Sequence, residues 1–180
     1  MLEIKDNLLV GAKFKQSPNC SERLNQDISL LVIHNISLPP NKFGNDFVEK
    51  FFQNKLNPNE HPYFKEIENL KVSCHLFIKR DGSIIQFVPF NLKAWHAGVS
   101  IYEGQEDCNE FSIGIELEGA DDIDYTEEQY EKLKEVTEVL LDKYPLMKKH
   151  RIVGHSDIAP SRKTDPGPSF SWKKYRSSLS

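Results

Sequence analysis

The residues of this chain best suited to catalysis lie in one segment, residues 154–168, with the sequence GHSDIAPSRKTDPGP. Its prolines and glycines predict a shaped loop rather than a regular helix. Imidazole nitrogens and carboxylate oxygens are ordinary zinc ligands, and catalytic zinc takes three protein ligands and keeps one position for water. His155 and Asp165 are therefore candidate ligands, with Asp157 as an alternative. The competing interpretation is a surface loop whose histidine only forms hydrogen bonds.

A third ligand has to come from elsewhere, and His34 is the candidate. It ends the apolar run of residues 28–34, so a rigid strand would hold it at the mouth of a cleft. Together with His155 and Asp165 it would supply two neutral imidazoles and one carboxylate. With Zn²⁺ bound, such a site keeps a net positive charge, which favours ionising a water molecule. The alternative is a neutral histidine whose hydrogen bonds are satisfied by backbone at a strand end.

Two further residues have types that suit proton transfer and the stabilisation of a developing negative charge. Glu116 interrupts an apolar strand, and since an unpartnered buried carboxylate is costly, it must face a cation, a metal-bound water or solvent. There it could take a proton from water and pass it to a leaving amine. Lys163 could stabilise a developing oxyanion, although Arg162 suits that task equally by residue type. The alternatives are an edge strand with solvated glutamates and a loop with solvated cations.

Aromatic and amide side chains are candidates for lining a groove that takes a sugar and a peptide. Aromatic faces stack on pyranose rings, and amides form hydrogen bonds with hydroxyl and peptide groups. Each of these side chains could equally belong to the core or to an ordinary loop. The candidate substrate-binding residues are Asn35, Tyr63, Trp95 and His96.

The elements that position these residues predict an α/β fold, with one domain over residues 1–180 and a central mixed β-sheet flanked by α-helices. An Asp81-Gly82 turn predicts a hairpin, and Thr126 with Gln129 predicts a capping box. Residues 15–27 and 54–69 are expected to be loops, and residues 8–12 an edge strand. The other strands are predicted over residues 28–34, 72–78, 84–88, 111–119 and 151–154, and helices over residues 46–53, 126–144 and near Trp172.

Composition narrows the class of protein. The 180 residues carry a formal net charge of −4, which gives no reason to expect a nucleic-acid partner. No apolar run approaches the roughly 20 residues that cross a bilayer. The charged amino terminus is unlike a signal peptide, and three scattered cysteines form no disulfide pattern. We therefore expect a cytoplasmic protein that acts as a monomer, without a membrane partner.

Five segments together resemble the zinc-dependent N-acetylmuramoyl-L-alanine amidases, and most closely their cytosolic branch that acts on 1,6-anhydro-muropeptides in peptidoglycan recycling. The resemblance covers nearly the whole chain. Lys71 and Asp107 depart from it, because relatives often carry arginine at these positions near the substrate. The segments are VIHNISLPP (32–40), KAWHAGVS (93–100), FSIGIELEG (111–119), GHSDIAP (154–160) and KTDPGP (163–168).

The resemblance implies the amidase and peptidoglycan-recognition fold, with Zn²⁺ held by His34, His155 and Asp165. It implies that Glu116 is the proton acceptor and Lys163 the transition-state stabiliser. The reaction would be hydrolysis of the amide between the lactyl group of 1,6-anhydro-N-acetylmuramic acid and L-alanine in muropeptides. Two alternatives remain: a lytic amidase that acts on polymeric peptidoglycan, and a peptidoglycan-binding module without catalysis, which typically lacks a metal ligand.

Overall fold

A six-stranded mixed sheet lies at the centre of the computed structural model, which describes residues 2–180. The strands are β1 (Glu3–Lys5), β2 (Leu8–Val10), β3 (Lys13–Phe14), β4 (Cys20–Glu22), β5 (Leu30–Ile36), β6 (Leu76–Ile78), β7 (Ile84–Gln86), β8 (Leu92–Ala94), β9 (Ile101–Tyr102), β10 (Gln105–Glu106), β11 (Ser112–Glu118) and β12 (Ile152–Gly154). Three two-stranded ribbons lie outside the central sheet, formed by β1 with β2, β4 with β8, and β9 with β10.

The helices differ greatly in length, and the longest carries the clearest sequence signals. The Thr126 hydroxyl accepts a hydrogen bond from the Gln129 backbone, and the Gln129 side-chain oxygen accepts one from the Thr126 backbone, so the predicted capping box forms. Two 3₁₀ turns, Cys108–Glu110 and Lys149–Arg151, precede β11 and β12. The helices are α1 (Phe47–Phe52), α2 (Pro62–Ile67), α3 (Glu127–Lys143), α4 (His155–Ile158) and α5 (Trp172–Ser178).

The central sheet has the order β12-β5-β11-β6-β7-β3. Strands β12, β5, β11 and β6 run parallel, whereas β7 is antiparallel to β6 across the predicted Asp81-Gly82 turn. Because the carboxyl ends of parallel strands meet at one edge, His34 on β5, Glu116 on β11 and the start of α4 after β12 come together there.

Helices cover both faces of this sheet, which explains the unbroken apolar run in β5. On one face, Leu31 and Ile33 pack in a core that includes Leu133 and Leu140 of α3. On the other, Phe77 of β6 packs in a core formed with α1 and α2. The predicted α/β class, with one domain and a central mixed sheet flanked by helices, is confirmed.

Several local expectations were wrong. Residues 15–27 include β4, which is held by pairing with β8, and residues 54–69 include α2, which Pro62 begins. Of the edge strand expected over residues 8–12, only Leu8–Val10 form a strand, β2, which lies in a separate ribbon, while β3 occupies the edge of the central sheet. The strand predicted over 72–78 is confined to β6. One helical turn, α4, opens the segment that was expected to contain no regular helix.

Candidate active site

The three predicted metal ligands converge at the carboxyl edge of the sheet. The Nδ1 atoms of His34 and His155 lie 3.0 Å apart, and each lies 3.1 Å from Oδ2 of Asp165. Both histidines are buried, and the side chain of Asp165 is 14% exposed. Ligand atoms of a tetrahedral zinc site lie roughly 3.3 Å apart, so this triangle has nearly the size that such an ion needs.

The protonation of the triangle favours a cation at its centre. Nε2 of His155 lies 3.0 Å from the Ala97 carbonyl oxygen, which can only accept, so in the neutral ring Nε2 carries the hydrogen and Nδ1 a lone pair. Burial lowers the pKa of His34 to about 4, although its contact with Asp165 acts in the opposite direction. Burial alone would raise the pKa of Asp165, but its contacts with the two histidines hold it below its usual range. Three electron-pair donors therefore face one point, and they fit a divalent metal.

Asp165 is held in place by contacts on both sides of it. The Ser156 backbone donates to the Asp165 carbonyl, and both the Asn35 amide and the Tyr125 hydroxyl donate to the Pro166 carbonyl. The alternative ligand Asp157 instead accepts a hydrogen bond from the Gly154 backbone at 2.7 Å and is exposed. The structure therefore brings Asp165, and not Asp157, to the two histidines.

Glu116 is buried in the same cleft with an unpartnered oxygen. It is 9% exposed, and within residues 2–180 its Oε2 has no hydrogen-bond partner. Burial and the charge of Asp165 raise its pKa well above the usual range, while Lys163 acts in the opposite direction. Glu118, on the same face of β11, is fully satisfied because its two oxygens accept from the backbones of Gly44 and Arg80. The free carboxylate is thus the one beside the triad.

Lys163 and Arg162 have different surroundings. Lys163 is half-buried and lines the cleft together with Glu116 and Asp165. Arg162 is exposed, and its guanidinium donates to the backbone carbonyls of Ala97 and Val99. Only Lys163 of this pair therefore lines the cleft.

The cleft has a volume of about 380 Å³, and three of the four predicted lining residues border it. Tyr63 is half-buried at the side of the cleft. Asn35 also borders the cleft, but its amide nitrogen donates to the Asp121 side chain and the Pro166 carbonyl. His96 also borders the cleft, yet both of its ring nitrogens contact protein groups. Trp95 is absent from the described lining, and its indole nitrogen donates to Ser21.

Sequence reasoning missed a buried polar residue next to the site. Asn109, in the 3₁₀ turn before β11, accepts hydrogen bonds from two backbone amides of the segment that borders the histidines. No residue pattern marks it, because its partners lie 12 and 13 positions away.

Two residues depart from the family pattern, Asp107 and Lys71. The carboxylate of Asp107 forms an ion pair with Lys93, and Lys71 is exposed.

Residues 24–168 match the family model described as N-acetylmuramoyl-L-alanine amidase. The chain belongs to this amidase family. The amidase is 53% identical to the 1,6-anhydro-N-acetylmuramyl-L-alanine amidase AmpD of Haemophilus influenzae, over 98% of this chain and 97% of the relative. The predicted activity class, an N-acetylmuramoyl-L-alanine amidase, is confirmed.

Solved structures agree with this assignment. The amidase superposes on a crystal structure of AmpD with a TM-score of 0.95 at 49% identity, covering 98% of this chain and 99% of that one. It also resembles AMPDH3 from Pseudomonas aeruginosa in complex with an anhydromuramic pentapeptide, with a TM-score of 0.63 and 28% identity. That match covers 92% of this chain and 63% of the other.

Among residues 2–180, no helix is long and apolar enough to span a bilayer.

Proposed function

We propose that this amidase hydrolyses the amide between the lactyl group of 1,6-anhydro-N-acetylmuramic acid and L-alanine in muropeptides, with Zn²⁺ held by His34, His155 and Asp165. The observation that carries the proposal is the convergence of three donor atoms within 3.1 Å in the cleft that also holds Glu116, whose buried Oε2 has no partner among residues 2–180. The relatives named above support the choice of substrate, because they act on or bind 1,6-anhydro-muramyl compounds.

A zinc ion bound by the triad would supply Lewis acidity, which polarises the scissile carbonyl and lowers the pKa of water. Glu116 accepts a proton from the attacking water and delivers it to the amine of L-alanine as the C–N bond breaks. The products are the free lactyl carboxylate of the sugar and the stem peptide. Burial raises the pKa of Glu116, which makes its ionised form a stronger base towards the water proton.

Lys163 stabilises the developing oxyanion of the tetrahedral intermediate. The residue lines the cleft, where an interaction with a charge that appears only in the transition state lowers the barrier. Tyr63 offers an aromatic face at the side of the same cleft for the sugar or peptide. Asn35 borders the cleft and remains a candidate for substrate contact, whereas Trp95 stays a prediction without support from the described cleft lining.

The protein is proposed to act as a cytoplasmic monomer. Cys20, Cys74 and Cys108 are all free thiols, which suits a reducing compartment. Burial raises the pKa of the Cys74 thiol well above its usual range, so this thiol is an unreactive part of the core. Analytical ultracentrifugation at micromolar concentrations tests the monomer directly.

Mass analysis of the products from a purified anhydro-muropeptide, with and without a chelator, tests the proposal. We expect free anhydro-N-acetylmuramic acid and intact stem peptide, formed only while metal is present. An unchanged substrate with the zinc-loaded protein would refute the activity, and turnover unaffected by the chelator would refute the role of the metal. Faster turnover of intact sacculi than of soluble anhydro-muropeptides would instead favour the lytic amidase.

A further inference from the structure

The outer ring nitrogens of both histidines contact two consecutive residues of one loop. Nε2 of His34 lies 2.9 Å from Nδ1 of His96, and Nε2 of His155 lies 3.0 Å from the carbonyl oxygen of Ala97. The two histidines are themselves 121 residues apart in the chain. A single short segment therefore orients both rings, and we call residues 96–97 the orienting segment.

The hydrogen bonds of this segment define which nitrogens carry hydrogen. If Nδ1 of His34 is to bind a metal, its Nε2 must donate to Nδ1 of His96. His96 can accept there because its own Nε2 lies 3.0 Å from the Ser112 hydroxyl, to which it can donate. His34, His96 and Ser112 thus form a chain of hydrogen bonds with one consistent direction, and the two histidine rings meet nearly edge-on at 84°.

The backbone of the orienting segment is fixed by Asn109. The amide oxygen of Asn109 accepts from the backbone nitrogens of His96 at 3.0 Å and Ala97 at 2.8 Å. Asn109 is 9% exposed, and its own carbonyl accepts from the buried guanidinium of Arg23, as does that of Ser112. Movement of the Asn109 side chain would therefore displace the partners of both metal-ligand candidates at once.

The space for the His96 ring depends on a glycine in the central strand. A Cβ atom at Gly114 would lie 2.4 Å from Cγ of His96, closer than any real contact. Gly114 is flanked by Ile113 and Ile115, whose side chains lie in the core on the opposite face. The strand is thus apolar and bulky on one face and open on the other, where it receives the ring of His96.

We infer that His96 and Asn109 are positioning residues that set the orientation and hydrogen placement of both histidine ligands, so that Nδ1 of each ring is free to bind the metal. The inference rests on the proposed function, because it requires a metal ion bound by His34, His155 and Asp165. It replaces the expectation that His96 contacts substrate, since both nitrogens of its ring are used within the protein. Loss of such outer partners typically weakens metal affinity about 10- to 100-fold.

Zinc affinity, measured by competition with a chromophoric chelator at pH 7, tests the inference. His96→Leu removes the acceptor for His34, whereas His96→Asn places an oxygen near the position of Nδ1. We expect His96→Leu to bind zinc about 10- to 100-fold more weakly than the wild type and His96→Asn to recover most of the loss. The control is His150→Gln, because the side chain of His150 is exposed, whereas that of His96 is buried against a ligand candidate.

A second pair of variants covers the chance that His96→Leu does not fold. Asn109→Leu removes both backbone contacts, and Asn109→Asp keeps an acceptor oxygen in the same place. We expect Asn109→Leu to weaken zinc binding and to alter the visible absorption of the Co²⁺-substituted protein. In both the zinc affinity and the absorption spectrum, Asn109→Asp should lie closer to the wild type. The inference would be overturned if the leucine variants that fold, His96→Leu and Asn109→Leu, bind zinc as tightly as the wild type. A wild-type chain that binds no zinc would instead refute the proposed function.

Discussion

Glu116 and His34 lie directly opposite each other in the register of the two central parallel strands, β11 and β5. Registered neighbours in a sheet project from the same face, so the carboxylate and the imidazole share one side of the sheet at its carboxyl edge. The rigid ladder between them fixes the position of the proposed proton acceptor relative to a proposed metal ligand, and it does so without a direct hydrogen bond between them. Two residues that are 82 positions apart in the sequence thereby become a preorganised pair.

Replacing the proton acceptor should separate catalysis from metal binding. Glu116→Gln keeps the shape of the side chain but cannot accept a proton, so we expect kcat to fall about 10²- to 10⁴-fold. Zinc content should remain that of the wild type, because Glu116 is not one of the three converging ligands. Steady-state kinetics on anhydro-muropeptide and metal analysis of the same sample measure both effects.

Glu118→Gln is the matched control for that variant. Glu118 lies on the same face of β11, but its oxygens accept from the Gly44 and Arg80 backbones and not from the cleft. We expect a loss of stability of about 1–3 kcal/mol with turnover per folded molecule retained. If Glu116→Gln turns over substrate at the wild-type rate, Glu116 is not the proton acceptor.

The cleft lysine should contribute to the transition state more than to substrate binding. Lys163→Met removes the charge while preserving much of the volume, and the loss of one oxyanion contact typically lowers kcat about 10²- to 10³-fold. We expect KM to change little, because the oxyanion forms only after binding. Lys173→Met, on the exposed side of α5, controls for the loss of one positive charge. A larger kcat effect in Arg162→Met than in Lys163→Met would reverse the assignment of the cation.

Metal binding should raise the thermal stability of the protein through Asp165. A ligand at 100 times its dissociation constant stabilises the folded state by about 2.7 kcal/mol. We therefore expect zinc to raise Tm in the wild type, a chelator to reverse the rise, and Asp165→Asn to lose most of the response. Differential scanning calorimetry measures these shifts. Asp157→Asn should respond like the wild type, because its side chain caps the Gly154 backbone outside the triad.

The elements that the sequence predicts well are those held by contacts within a few residues or marked by a strong hydrophobic pattern. The Thr126 capping box and the Asp81-Gly82 turn are complete within a few residues, so α3 and the β6–β7 hairpin follow from the sequence alone. The strand predicted over residues 28–34 forms as Leu30–Ile36, and it was predictable because both of its faces are apolar. Convergence of His34 with His155 and Asp165 was predictable as well, because ligand chemistry and family motifs both favoured that set.

The missed parts depend on partners that are distant in the chain. Strand β4 exists because Cys20–Glu22 pairs with Leu92–Ala94, and neither segment alone has a strong strand pattern. The choice between Asp157 and Asp165 depends on the helical turn α4, which directs Asp157 back to Gly154. The role of Asn109 depends on two backbone amides that only the folded loop presents to it.

The buried histidine His75 should make the stability of the metal-free protein depend on pH. Burial and the nearby charge of Arg23 lower its pKa to about 3, whereas in an unfolded chain a histidine titrates near 6.5. Between these two values only the unfolded state binds the proton, so the free energy of unfolding falls as the pH is lowered from about 6.5 towards 3. His75→Gln removes that proton site while its amide can still serve the Gly114 backbone and the Leu92 carbonyl.

We expect the pH dependence of the unfolding free energy to be shallower in His75→Gln than in the wild type, by up to about 1.4 kcal/mol per pH unit below pH 6. Urea unfolding between pH 4 and 7.5, with a chelator present throughout, measures the two slopes. His150→Gln is the control, because His150 is exposed and its replacement should leave the slope unchanged. Equal slopes for the wild type and His75→Gln would mean that His75 is protonated within the folded protein, contrary to its complete burial between a backbone donor and a backbone acceptor.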